Sequence, residues 1–158
     1  MLDRAKHTAE VLELARILGF VMCGHPHDVK AGILGIYHAC HAELQVLAYW
    51  IFRNPVAKAR MRILEERQIK GKVLLNFEDE VLPLGIYTSQ PYKEGGICEE
   101  CPAYCNEVAQ QLNMAIQMSF ISESGVQLAM IWERDGMRDF NHAVTVSSIE
   151  PAPRMNTS

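Results

Sequence analysis

The chain has 158 residues, enough for one domain, and with 49% apolar and 22% charged residues it can fill a single core. That composition excludes a disordered tail or a small disulfide scaffold, and no apolar run reaches the ~20 residues of a bilayer-spanning helix. A formal net charge of −4 and a pI near 5.8 argue against a globally basic nucleic-acid binder.

The start, Met1-Leu2-Asp3-Arg4, is charged and reads as no secretory leader, so a cytoplasmic location with no membrane association is expected. Apolar residues at near-helical spacing predict a first helix over about 3–18, stopped by Gly19. Phe20-Val21-Met22-Cys23 and the stretch 31–37 read as two short strands that pair as a hairpin across the Gly24-His25-Pro26 turn. From His41 the pattern turns helical, with Leu44, Leu47, Ala48 and Ile51 on one face, until Asn54-Pro55 breaks it. A further helix is predicted over about 56–68. Strands follow at 73–75 and 81–89, the latter limited near its start by Pro83, and then a loop over 91–96. The next helix is read over about 98–119, with Cys101, Cys105, Val108 and Leu112 on one face. Strands at 126–132 and 143–149 flank a turn at Asp135-Gly136, and their ten-residue link favours an antiparallel pair. The expected fold is one α/β domain over 1–150, a three-layer α-β-α sandwich around a mixed sheet of about five strands. Residues 151–158 form a loose tail.

Five cysteines, an odd number, with Cys98, Cys101 and Cys105 inside eight residues, point to reduced thiols and to metal ligation before disulfides. Two segments stand out: His41-Ala42-Glu43 at a helix start, and Cys98-Glu99-Glu100-Cys101 at another. Zinc takes imidazole nitrogen and thiolate sulfur, and a catalytic site keeps three protein ligands and one open position. His41, Cys98 and Cys101 make such a set. Glu43, two residues beyond His41, can take a proton from a metal-activated water and return it to a leaving group. Pro102 fits a helix beginning late, which leaves Cys101 and Cys105 as a competing ligand pair. Between Arg53 and Lys72 seven basic and two acidic residues leave a local charge of +5. This is either a solvated helix face or a track for phosphates through Lys58, Arg60 and Arg62.

With H-x-E at His41–Glu43 and C-x-x-C at Cys98–Cys101, the chain resembles the cytidine deaminase-like superfamily of zinc deaminases, although Ile97 stands where the signature has proline. The order of elements over most of the chain is similar to that superfamily's core. The resemblance implies a Zn2+ cofactor held by His41, Cys98 and Cys101, with Glu43 as proton carrier. It also implies attack of a metal-activated water on an amino-bearing ring carbon, with ammonia leaving. Ser89 lies in the strand leading to the second motif, Tyr92 is placed to stack on a base, and His38 to line the pocket. Three functions follow. The first is deamination of a nucleobase, cytosine foremost, in single-stranded or locally opened nucleic acid. The second is deamination of a free nucleoside, nucleotide or related heterocycle. The third is a non-catalytic domain in which zinc only stabilises a binding surface. The sequence carries no reading of oligomeric state.

Overall fold

A computed structural model describes residues 3–69, 80–87, 100–121 and 126–145. Helix α1 (Arg4–Leu18) begins at Asp3, whose carboxylate accepts from the Lys6 N–H at 3.2 Å. It ends at Gly19 in the left-handed region, φ 68°. There the Gly19 N–H donates to Arg16 O and the Phe20 N–H to Ala15 O, a paired cap that satisfies two orphan carbonyls. Val11, Leu14, Ala15, Ile17 and Leu18 form its buried face.

After α1 the two expected short strands are absent. Residues 20–23 join no ladder, and 31–37 belong to a loop carrying two short helices, α2 (Asp28–Ala31) and α3 (Ile36–Ala39). Cys23 is exposed and Cys40 half-buried, so neither is the buried strand residue the sequence suggested. The β-prone side chains of this stretch are overridden by Gly32 and Gly35, both left-handed at φ 66° and 83°. Gly35 is irreplaceable on two counts: its φ, and a Cβ there would lie 2.6 Å from Met22 Cβ.

Helix α4 (Ala42–Arg53) buries Leu44, Leu47, Ala48 and Ile51 completely, the stripe its spacing predicts. Each of the three larger side chains, Leu44, Leu47 and Ile51, contributes roughly 1.5–3 kcal/mol by leaving water. Asn54 adopts extended backbone, as a residue before proline must. Its side-chain oxygen accepts from the Val56 and Ala57 N–H groups, so Asn54 both ends α4 and caps α5 (Pro55–Ile69), with Pro55 at the first helical position.

Strand β1 (Leu82–Tyr87) is followed by α6 (Glu100–Leu112), β2 (Met114–Ile121), β3 (Val126–Glu133) and β4 (Gly136–Thr145). The described sheet has the order β1-β2-β3-β4, with β1/β2 parallel and the other two pairs antiparallel. The antiparallel final pair agrees with expectation. Its connection does not: Glu133 pairs with Gly136 across a two-residue turn, so the last strand starts at once rather than at Ala143. Strand β2 stands where the spacing predicts the end of a helix. Its Met, Ala and Gln content is helix-prone, yet Asn113 turns left-handed at φ 50° and stops α6. Beyond it Met114, Ile116 and Met118 alternate onto the buried face.

With Leu82, Leu84, Ile86, Met130 and Trp132 they meet α4 and α6, and α1 and α5 pack against those helices. On the opposite face Pro83, Gly85, Tyr87 and Gln117 are exposed. The described residues thus form four strands with helices over one face, and the five-stranded, three-layer sandwich is not what they build. The expected strand 73–75, the loop 91–96, the start of the helix at Cys98, residues 146–149 and the tail lie outside the described residues. Among the described residues no helix is long and apolar enough to cross a membrane.

Arg60, expected on a phosphate track, has a different place. It is 4% exposed, and its guanidinium donates to Leu112 O, Asn113 O and Glu80 O at 2.8, 3.1 and 2.6 Å. It caps the carbonyl end of α6, where the helix dipole favours a cation, and ties that end to the segment entering β1. Arg60→Met should therefore lower the free energy of unfolding by about 2–4 kcal/mol, while Arg62→Gln, on the exposed side of α5, should stay within about 0.5 kcal/mol. Urea denaturation of both variants measures this, and equal small effects would show that the cap contributes nothing.

Candidate active site

The first residue of the site is set by a helix start. His41 is the N-cap of α4, in extended backbone with ψ 133°, and it makes no side-chain cap of its own. Its imidazole turns instead toward α6, where Nδ1 lies 3.2 Å from Cys101 Sγ across 60 residues of sequence. Cys101 stands in the first turn of α6 and is 1% exposed. Helix α6 begins at Glu100, so Pro102 falls within the first turn, where the missing N–H has no intrahelical acceptor to lose. Two helix N-termini thus converge on one imidazole and one thiol. The partial positive charge of such ends favours a thiolate.

Whether these residues suit a zinc ion follows from the donor geometry. Ligand distances of about 2.0–2.1 Å to nitrogen and about 2.3 Å to sulfur at a tetrahedral angle set the two donors roughly 3.5 Å apart. The observed 3.2 Å is close to that edge. A nucleophilic Cys/His pair has a similar separation, but a sulfur buried to 1% cannot reach a substrate carbon. Among the described residues no three His, Cys, Asp or Glu side chains form a metal-holding group. That removes His41, Cys101 and Cys105 as a set. Cys105 is fully buried in the apolar face with Val108 and Leu112, which is packing rather than ligation. Cys98, Ser89 and Tyr92 lie outside the described residues.

Glu43 follows in the first turn of α4 with its side chain half-buried. His38 is half-buried too, its ring edge-on to His41 at 5.7 Å between centroids, and its Nδ1 is buried without a hydrogen-bond partner among the described residues. A buried polar atom without a partner beside a candidate metal ligand suits a pocket that receives a polar guest. On α5, Lys58 is half-buried and Arg62 exposed.

Two acids that spacing does not reveal hold the loop before His41. Glu100 is buried and accepts from the Cys23 N–H at 3.2 Å. Asp28 is buried and accepts from the backbone N–H groups of His25, Gly35 and Tyr37, each at 2.9 Å. The one available signal was the turn-rich His25-Pro26-His27-Asp28, since aspartate commonly bonds the backbone of its own turn. The Tyr37 N–H bond, then those of Gly35 and His25, hold the Asp28 carboxyl below the usual carboxylate range, against burial that pushes it up. A depressed folded-state value means that this support is present above the unfolded range, about pH 4, and is lost as pH falls through the folded value. Thermal unfolding of Asp28→Asn should fall well short of the parent at pH 6, and the gap should close below about pH 4. A gap that stays constant across that range would show the carboxylate to be irrelevant to the loop.

The sequence model of the family described as "Single-strand DNA deaminase toxin A, C-terminal" matches residues 3–47, a segment that contains His41 and Glu43. No curated protein and no solved structure matches the chain.

Proposed function

We propose that the chain is a zinc-dependent hydrolytic deaminase of cytosine in single-stranded DNA, with His41, Cys98 and Cys101 as metal ligands and Glu43 as the proton carrier. The observation that carries this reading is the approach of His41 Nδ1 to Cys101 Sγ, 3.2 Å, at two adjoining helix starts. The family match supplies the substrate class by its printed description, and its matched segment holds the H-x-E pair. Zinc, when bound, supplies a water acidic enough to react near neutral pH. Glu43 takes a proton from that water and passes it to the exocyclic nitrogen. A C–O bond forms at the ring carbon, the C–N bond breaks, and ammonia leaves, with no net oxidation. His38 lines the pocket with its buried Nδ1 available to a polar group of the base.

Uracil formation from a single-stranded oligonucleotide, its duplex and 2′-deoxycytidine, read together with zinc content, tests the assignment. Glu43→Ala should retain zinc and lose roughly 10²–10⁴-fold in turnover. A fully active variant would remove Glu43 from the chemistry. His41→Ala and Cys101→Ala should each lose both zinc and activity, and retention of zinc by both would remove the ligand assignment. Deamination of 2′-deoxycytidine alone would favour the free-nucleoside reading.

The half-buried Lys58 and exposed Arg62 remain as phosphate contacts of α5. Neutralising both should weaken action on the oligonucleotide, reduce its salt dependence and spare 2′-deoxycytidine, because phosphate contacts carry non-specific affinity. Equal effects on the two substrates would exclude α5 from the strand path.

A further inference from the structure

The loop leading to His41 presents three rings for which the chemistry above has no use. The His25 imidazole lies face to face with the Tyr37 ring, centroids 3.6 Å apart and planes within 10°. His27 stacks on His25 at 4.9 Å and 18°, and lies 27° from the plane of Tyr37. Tyr37 then meets His41 edge-on at 5.6 Å. The set is partly open to solvent: Tyr37 is 38% exposed and His27 is exposed. Beside it in the same loop Ile33 and Leu34 are also exposed. Asp28 pins the loop backbone at His25, Gly35 and Tyr37, and the His25 imidazole accepts from the His27 N–H at 3.2 Å, so the rings are held in place by the loop itself.

Near-parallel flat rings, held in place beforehand and accessible from outside, are a surface on which another flat heteroaromatic ring stacks at little entropic cost. Resting on the deaminase reading, we infer that His25, His27 and Tyr37 form a stacking platform for the nucleobase next to the target in the same strand. The distances place it there. The Tyr37 ring centre is 5.6 Å from that of His41, and stacked nucleotides rise about 3.4 Å each along a strand. The platform therefore adjoins the imidazole proposed as a metal ligand, within reach of a base next to one held there. Stacking of this kind tolerates any base, because every base has a π-face. A free nucleoside has no neighbouring base to place there, so the platform selects strands over nucleosides.

Kinetics on single-stranded oligonucleotides with either normal or abasic positions flanking the target cytosine test this. Tyr37→Ala and His27→Ala should each raise KM about ten-fold on the normally flanked strand, with kcat within about two-fold of the parent. Neither should alter KM on the abasic-flanked strand, and Tyr37→Trp should restore the parent value. Loss of equal size on both strands, or no loss on either, would overturn the platform. A second measurement does not depend on turnover. 2-Aminopurine beside the target should be quenched when the strand binds the Glu43→Ala protein, and less so when Tyr37→Ala is added. If the parent protein deaminates no substrate, the deaminase reading fails and the quenching decides alone. Quenching that Tyr37→Ala diminishes sustains the platform, and quenching that it leaves unchanged, or none at all, overturns it.

Discussion

A thiol shut away from solvent lies within reach of an imidazole sixty residues earlier, and this one approach dictates how two helix starts must meet. The packing that enforces it is apolar. Leu44, Leu47 and Ile51 of α4 and Val108 and Leu112 of α6 share one core. Helix α1 braces α6 through polar contacts: the Tyr104 hydroxyl donates to Val11 O at 2.9 Å, and Gln111 Nε2 to Leu18 O at 2.7 Å. Burial raises the Tyr104 hydroxyl well above its ordinary value, so it stays protonated and keeps donating. Because α6 is held along its length, Cys101 at its start is held as well. Preorganisation of this kind suits the ligand pair proposed above, because both donors are held in place by the fold alone.

What the sequence made legible was whatever depends on local periodicity. The apolar stripe of α4, the Asn54-Pro55 break and the stop at Gly19 each follow from residue spacing or from the backbone rules of proline and glycine. The region before His41 was misread because its Val, Ile and Tyr content favours strands, while two left-handed glycines and the Asp28 carboxylate impose a coiled loop. Strand β2 was hidden for the opposite reason. Its residues favour helix, and only the left-handed Asn113 and the demand for a central strand against β1 and β3 decide the outcome. Tertiary pairing overrides propensities that differ by only a few tenths of a kcal/mol per residue.

Arg60 illustrates a further limit. In a run of basic residues on one helix nothing local separates a solvated cation from a buried one. It shares the inward face of α5 with Ala57, Met61 and Leu64, a face that hydrophobicity alone would have assigned to apolar residues. Its position becomes intelligible only when α6 ends beside it with carbonyls lacking donor partners in the helix; the guanidinium donates to two at that end, Leu112 O and Asn113 O, and to Glu80 O as well. The same charge is therefore spent on holding the fold, and the basic character left for a polyanion is smaller than the count suggests.

The two halves of the site stand on different grounds, and that difference orders the argument for function. The half before residue 47 lies inside the segment matched by the deaminase family and includes α1, the Asp28-pinned loop, His41 and Glu43. The cysteine half lies beyond the match, and its tie to the first rests on geometry within this chain: Cys101 beside His41, and Glu100 accepting from the Cys23 backbone. Two contacts from consecutive residues of α6, one to the helix start and one to the loop before it, fix both the position and the rotation of that helix end.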